Sequence, residues 1–143
     1  MRFLQLALLA LILLANTGLA AGAKYIFLFI GDGMALQQRM LAEEYQRKMT
    51  GAGLAINAMP YQAPTKTHSA SAHVTDSAAA GTAIACGEKT RNQVMGMDAT
   101  GARKLTSIAK TAQAHGRKVG IVTSVTINHA TPAAFYANQP SRN

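Results

Sequence analysis

The apolar positions along the chain follow two patterns. "KYIFLFI" (Lys24 to Ile30) is an unbroken apolar run behind one lysine, of strand length, and "KVGIVTSVTI" (Lys118 to Ile127) is a second such stretch. Neither alternates, so both predict strands buried on both faces, as in a parallel sheet. Elsewhere the period is helical. Leu36, Met40, Leu41, Tyr45 and Met49 recur at helical spacing, and Gly51 and Gly53 stop that helix. "LTSIAKTAQAH" (Leu105 to His115) sets Leu105, Ile108, Ala109 and Ala112 on one face, with Gly116 at its end. Between them, "VTDSAAAGTAIACG" (Val74 to Gly87) opens on an acid and a hydroxyl and continues in small residues as a third helix. Strand, turn, helix, then helix, turn, strand is an α/β layout. Residues 58–74 fit an extended segment or a loop, and no internal repeat is present.

The N-terminus has the order of an export signal. Arg2 supplies positive charge, "LQLALLALILLA" (Leu4 to Ala15) is the apolar region, and small residues end at Ala20 or Ala23. The apolar run is shorter than the roughly 20 residues that a bilayer-spanning helix needs. The expected organisation is a secretory signal over 1–20, with cleavage as late as 23, and a catalytic-domain segment over 21–143. The location implied is exported, periplasmic or secreted, with membrane contact only through the signal before its removal.

Composition narrows the partners. Charged residues are 14% and hydrophobic residues 49% of the 143, a globular balance. The net charge of +8 favours anionic ligands. The basic residues are scattered, with no basic run and no interleaved aromatics, which argues for a solvated basic surface and against nucleic acid. Cys86 is the only cysteine, so no internal disulfide forms, and its small neighbours suit a packed thiol better than a nucleophile.

In open α/β sheets ligands sit beyond the carboxyl ends of the strands. Asp32 follows the first apolar run there, in "GDGM", and His129 and Thr131 follow the second, in "NHATPAAFYAN". Asp76 and Ser77 start the small-residue helix. Each has an ordinary reading: Asp32 as a turn former, Asp76 as an N-cap, His129 as a loop histidine, Thr131 with Pro132 as a turn pair. The sharper reading is chemical. A serine hydroxyl is a weak nucleophile that needs a base or a metal, and a carboxylate beside it can hold a cation. A helix N-terminus also favours an anion. His68 and His73 lack helix-face metal spacing, and "GDG" is not a dinucleotide fingerprint.

Four stretches together resemble the alkaline phosphatases: "LFIGDGM", "VTDSAAAGTA", "GEKTRNQVMGMD" and "NHATPAAFYA", in the family's order and over most of residues 21–143. The resemblance implies an exported α/β enzyme with a central, largely parallel sheet flanked by helices. It implies hydrolysis of phosphate monoesters with two zinc ions and one magnesium, and a homodimer in the complete protein. At matching positions, Asp32 would bridge the second zinc and the magnesium. Asp76 would bind the same zinc, and Ser77 would be the nucleophile that becomes a phosphoserine. Thr131 would bind magnesium directly. His129 stands where family members carry aspartate or histidine and would meet that ion through water, with zinc as a competitor. Arg142, eleven residues after Thr131, would clamp two phosphate oxygens.

Ala35 replaces a glycine usual in "GDGMG", and Asn138 replaces a histidine often found in "YAH". The family's remaining zinc ligands come from sequence beyond position 143, so the sheet is expected to be incomplete in this chain. The chain then reads as an N-terminal fragment, inactive by itself. Two other classes stay open: an exported phosphate-binding protein without catalysis, and a related metallohydrolase of diesters or sulfate esters. The serine in "TDSA" argues against the second.

Overall fold

The computed structural model describes residues 22–143, so the expected export signal lies outside the described residues. The chain divides after Ile30 into two units. In the first, residues 24–30 are exposed and form no strand, with Lys24 Nζ 5.3 Å from the Tyr25 ring centroid.

The second unit carries the helices. Helix α1 spans Leu36–Thr50, and Gly51 closes it in the left-handed conformation at φ 74°, donating its N–H to the Arg47 carbonyl. Glu43 on α1 accepts from Leu54 N–H at 2.6 Å and Asn57 Nδ2 at 2.8 Å, which ties the 3-10 turn Ala55–Ala58 back to the helix. Helix α2 spans Ser77–Cys86. Asp76 caps it by accepting from Ala79 N–H at 2.9 Å, and Gly87 ends it at φ 72°. Helix α3 spans Ile108–Ala114, capped by Ser107, whose Oγ accepts from Lys110 N–H. Helix α4 is the single turn Ala130–Ala133, where Pro132 is tolerated because first-turn N–H groups have no intrahelical partner. All three expected helices form, but the one expected over Leu105–His115 starts only at Ile108, because Leu105 N–H bonds to the Gly96 carbonyl and Ser107 caps the first turn. Among the described residues no helix is long and apolar enough to cross a membrane.

The small residues of α2 serve packing. Ala78, Ala79, Gly81, Thr82 and Ala85 are buried, and α2 lies against α4 and α3. A Cβ on Gly81 would sit 3.1 Å from Ala134 Cβ, so the two helices approach at a distance that a larger side chain would open. Ala78, Met95, Ala130 and Ala133 form the core, with Ala137 packed on it. Thr82, fully buried, donates to the Ala78 carbonyl at 2.8 Å and accepts from Gly96 N–H at 2.9 Å, so its hydroxyl is satisfied.

Both expected strands are corrected at the level of pairing. No strand exists among the described residues, and β-pairing is limited to the antiparallel bridges Met95–Gln139 and Met97–Lys104. Residues 118–127 form no regular element, bend at 124–125 and are mostly exposed, with Val122 98% exposed. A strand is a relation between two chains of peptide groups. An apolar run encodes the readiness to be covered and does not supply the neighbour. The central sheet is therefore not seen. The apolar stripe of α1 is likewise exposed at Leu36, Met40, Leu41, Tyr45 and Met49.

Gly96 carries the strictest steric demand. It has φ 60°, and a Cβ there would run into the Ala137 carbonyl oxygen. Its carbonyl accepts from Leu105 N–H and from Asn138 Nδ2, so this backbone has no freedom to retreat. Gly96→Ala should destabilise the full-length protein by about 3 kcal/mol through clash and left-handed strain together. Chemical denaturation checks this; a loss under about 0.5 kcal/mol, the scale of a neutral surface change, would contradict it.

Candidate active site

Three segments distant in sequence meet at the start of α2. The first is the turn Gly31–Met34. Met34 N–H donates to the Gly31 carbonyl at 3.2 Å, and Gly33 takes φ 67°, which a glycine adopts at little cost. This turn presents the Asp32 carboxylate. Ser77, the first residue of α2, donates its hydroxyl to Asp32 at 3.0 Å from Oδ2 and 3.1 Å from Oδ1. Thr131 on α4 donates its own hydroxyl to Asp32 Oδ2 at 2.7 Å. Ser77, Thr131 and Asp32 thus form one cluster, held in place by the tight α2–α4 packing at Gly81.

The Asp32 carboxyl is held below its ordinary range. The Thr131 hydrogen bond is the main cause; desolvation opposes it, and the Ser77 hydrogen bond and the charges of His129 and Arg142 add to it. An ionised carboxylate only accepts, so the shared protons belong to the two hydroxyls. The Ser77 proton is thereby directed at Asp32, and the oxygen's lone pairs remain for chemistry.

Asp76 is arranged differently. Its Oδ1 takes the Ala79 N–H, while its Oδ2 accepts from Gln93 N–H at 2.8 Å and faces Arg142 Nη1 at 3.4 Å. Both oxygens are engaged by donors of the chain. The expectation that Asp76 binds zinc therefore meets a carboxylate already used as helix cap and as partner of Arg142. Arg142 reaches it because the Met95–Gln139 bridge, closed by N–H···O bonds of 2.9 and 2.8 Å, folds residues 139–142 back over the loop after α2. The guanidinium is three-quarters buried and contacts Asp76 through one nitrogen. A planar fork of this kind suits two oxygens of a tetrahedral anion with its other donors.

His129 precedes α4 and donates its backbone N–H to the Thr126 carbonyl at 2.9 Å. Its ring Nδ1 is buried without a hydrogen-bond partner. A buried polar atom in that state is costly and fits a group bound beside it. All six residues singled out in the sequence lie in the second unit. Among the described residues no group of three His, Cys, Asp or Glu side chains could hold an ion, and His68 and His73, which lack metal spacing in the sequence, belong to no such group. Cys86 is half-buried, and burial pushes its thiol up, which suits a structural thiol.

Sequence reasoning missed Gln93. Among the described residues it is the only non-glycine with positive φ, at 72°. Asn92 beside it is a turn former, and Val94 N–H closes the turn on the Arg91 carbonyl at 3.2 Å, but glutamine itself carries no signal for a left-handed position.

A family model described as alkaline phosphatase matches residues 23–143. The chain belongs to the alkaline phosphatase family. It is 37% identical over 134 residues to the tissue-nonspecific alkaline phosphatase of Gallus gallus, covering 84% of this chain and 26% of that protein. The alkaline phosphatase of Thermus thermophilus superposes with a TM-score of 0.72 at 36% identity, over 80% of this chain and 25% of that one. The enzyme of the Antarctic bacterium TAB5 gives a TM-score of 0.67 at 32% identity, over 79% and 32% of the two chains. A variant of that enzyme, solved with Mg bound, matches at a TM-score of 0.63 and 32% identity, over 71% and 30%. The chain therefore spans about a quarter of the length of the relatives named first. These likenesses support an alkaline-phosphatase-like fold for the segment.

Proposed function

We propose that the full-length protein is an exported, metal-dependent hydrolase of phosphate monoesters that works through a phosphoserine at Ser77. The observation that carries this is the convergence of Ser77 and Thr131 on the Asp32 carboxylate, beside an Arg142 tethered to the neighbouring Asp76. Export is supported by the leader-like segment before residue 21, and homodimer formation rests on the family resemblance alone.

The residues fit a metal at Asp32. Carboxylate and hydroxyl oxygens from Asp32 and Thr131 are hard donors of the kind magnesium takes, and the unpartnered His129 nitrogen belongs to a residue two positions before Thr131. Asp32 would also serve the second zinc. The bound metals would supply positive charge that lowers the serine pKa and stabilises the transferring phosphoryl group. Asp76 is better suited to holding Arg142 than to ligating zinc, because its oxygens face fixed backbone N–H groups and a guanidinium that compete with a cation, whereas the hydroxyls on Asp32 can turn aside.

The chain's own groups then divide the work. Arg142 takes two non-bridging oxygens of the phosphoryl group and fixes phosphorus in front of Ser77. Asp32 accepts the Ser77 proton's hydrogen bond and aims an oxygen lone pair at phosphorus. A new phosphorus–oxygen bond forms to Ser77 as the bond to the leaving alcohol breaks, and the proton lost by the Ser77 hydroxyl to solvent is matched by one the leaving oxygen takes up, so a neutral alcohol departs. Water then attacks the phosphoserine, the bond to Ser77 breaks, and inorganic phosphate and the free hydroxyl are restored. The free N–H groups at the start of α2 favour the anion throughout.

Incubation of the full-length protein with labelled inorganic phosphate at mildly acid pH should place the label on Ser77. Mass spectrometry locating it elsewhere, or nowhere, would count against the reading. Arg142→Ala should weaken inhibition by inorganic phosphate by about tenfold to a hundredfold while activity persists, since the arginine binds ground and transition states alike. Unchanged phosphate inhibition would reduce Arg142 to a surface residue.

A further inference from the structure

We propose that Gln93 is a positioning residue for the phosphate clamp, acting through its left-handed backbone on Asp76 and, through Asp76, on Arg142. This rests on the reading that Arg142 binds the phosphoryl group. Three observations converge on it. Gln93 has φ 72°, a conformation that side chains with a Cβ adopt at a cost and that persists where the surroundings impose it. That conformation turns its N–H onto Asp76 Oδ2 at 2.8 Å, the same oxygen that faces Arg142 Nη1 at 3.4 Å. The Gln93 side chain also accepts from Asn143 Nδ2 at 3.5 Å, one residue beyond Arg142.

The physical consequence is a fixed carboxylate. Asp76 Oδ1 is pinned by Ala79 N–H, so only one torsional freedom remains to the group, and the Gln93 N–H removes it. Without that second anchor the carboxylate would swing about its cap hydrogen bond and the guanidinium would follow. The Gln93 position is itself fixed by its neighbours: Val94 is buried, and Met95 is bridged to Gln139 in both directions. The same bridge governs the approach of residues 139–142. Gln93 thus joins the loop that follows α2 to the segment that carries the arginine.

The test separates positioning from stability. In the full-length protein, Gln93→Asn and Gln93→Gly keep the left-handed conformation at low cost. Gln93→Val opposes it, because a β-branched side chain crowds that backbone region. Calorimetry with inorganic phosphate should show Gln93→Val binding about tenfold more weakly than wild type, with Gln93→Asn and Gln93→Gly within about twofold. Gln93→Thr is read in its place should Gln93→Val fail to fold. In an Asp76→Ala background, the same branched substitution should change phosphate affinity less than twofold, since the link it disturbs is gone. A purely structural residue would lower the melting temperature in both backgrounds and leave this difference absent. Equal phosphate affinity of the branched and unbranched variants, or failure of the protein to bind phosphate at all, overturns the proposal. Phosphate binding with this pattern but without monoester hydrolysis would leave it standing and sink the catalytic reading alone.

Discussion

Ser77→Ala in the full-length protein should lower monoester turnover by at least about a thousandfold and abolish covalent labelling by phosphate. The change removes the one atom of the chain proposed to bond to phosphorus. It leaves Asp76 as cap of α2, because that hydrogen bond comes from the Ala79 backbone. It also leaves the Thr131 hydrogen bond to Asp32. Helix α2 already consists mostly of small residues, and alanine is a good helix former at its first position. The fold should therefore survive, and inorganic phosphate should still bind through Arg142. The measurement is turnover of a nitrophenyl monoester beside phosphate affinity for the same protein. Wild-type turnover in Ser77→Ala would move the nucleophile elsewhere. A matching loss of phosphate binding would mean that Ser77 holds the site together instead of reacting.

The 143-residue chain on its own should show no metal-dependent turnover above its Ser77→Ala control. Catalytic zinc takes about three protein ligands and an open position. The described residues hold no cluster of three potential ligands, although Asp32 and Thr131 offer hard oxygen donors. Solubility should also be poor. Tyr25 through Phe29 and much of 118–127 expose apolar side chains, among them Phe27 at 78%, and the apolar stripe of α1 is uncovered. The assay is a purified 143-residue form supplied with zinc and magnesium at alkaline pH. Hydrolysis that disappears with Ser77→Ala would show that the chain completes a metal site from its own residues or from a second copy.

What the sequence determined by itself is local. Helices α1, α2 and α3 are legible because each closes its hydrogen bonds four residues back and carries its own signals, Gly51, Asp76 with Gly87, and Gly116, while the cap at Ser107 that sets the start of α3 is seen only in the structure. The four motif stretches contain Asp32, Asp76, Ser77, His129 and Thr131, and Arg142 is placed by its distance of eleven residues from Thr131, since side-chain chemistry at fixed spacing is written in the residues. Strands were not decidable in the same way, because the two apolar runs report a need for cover and pairing is supplied by other segments. Only the tertiary structure showed that Ser77 donates to an acid 45 positions earlier and that Thr131 donates to the same acid across 99. Only it showed that Asp76 is engaged by backbone amides and by an arginine 66 residues away, which no neighbour in sequence announces. The left-handed turn at Gln93 belongs to the same class: glutamine has no preference for that conformation, so it is imposed by the buried Val94, the Met95–Gln139 bridge and the carboxylate its N–H meets.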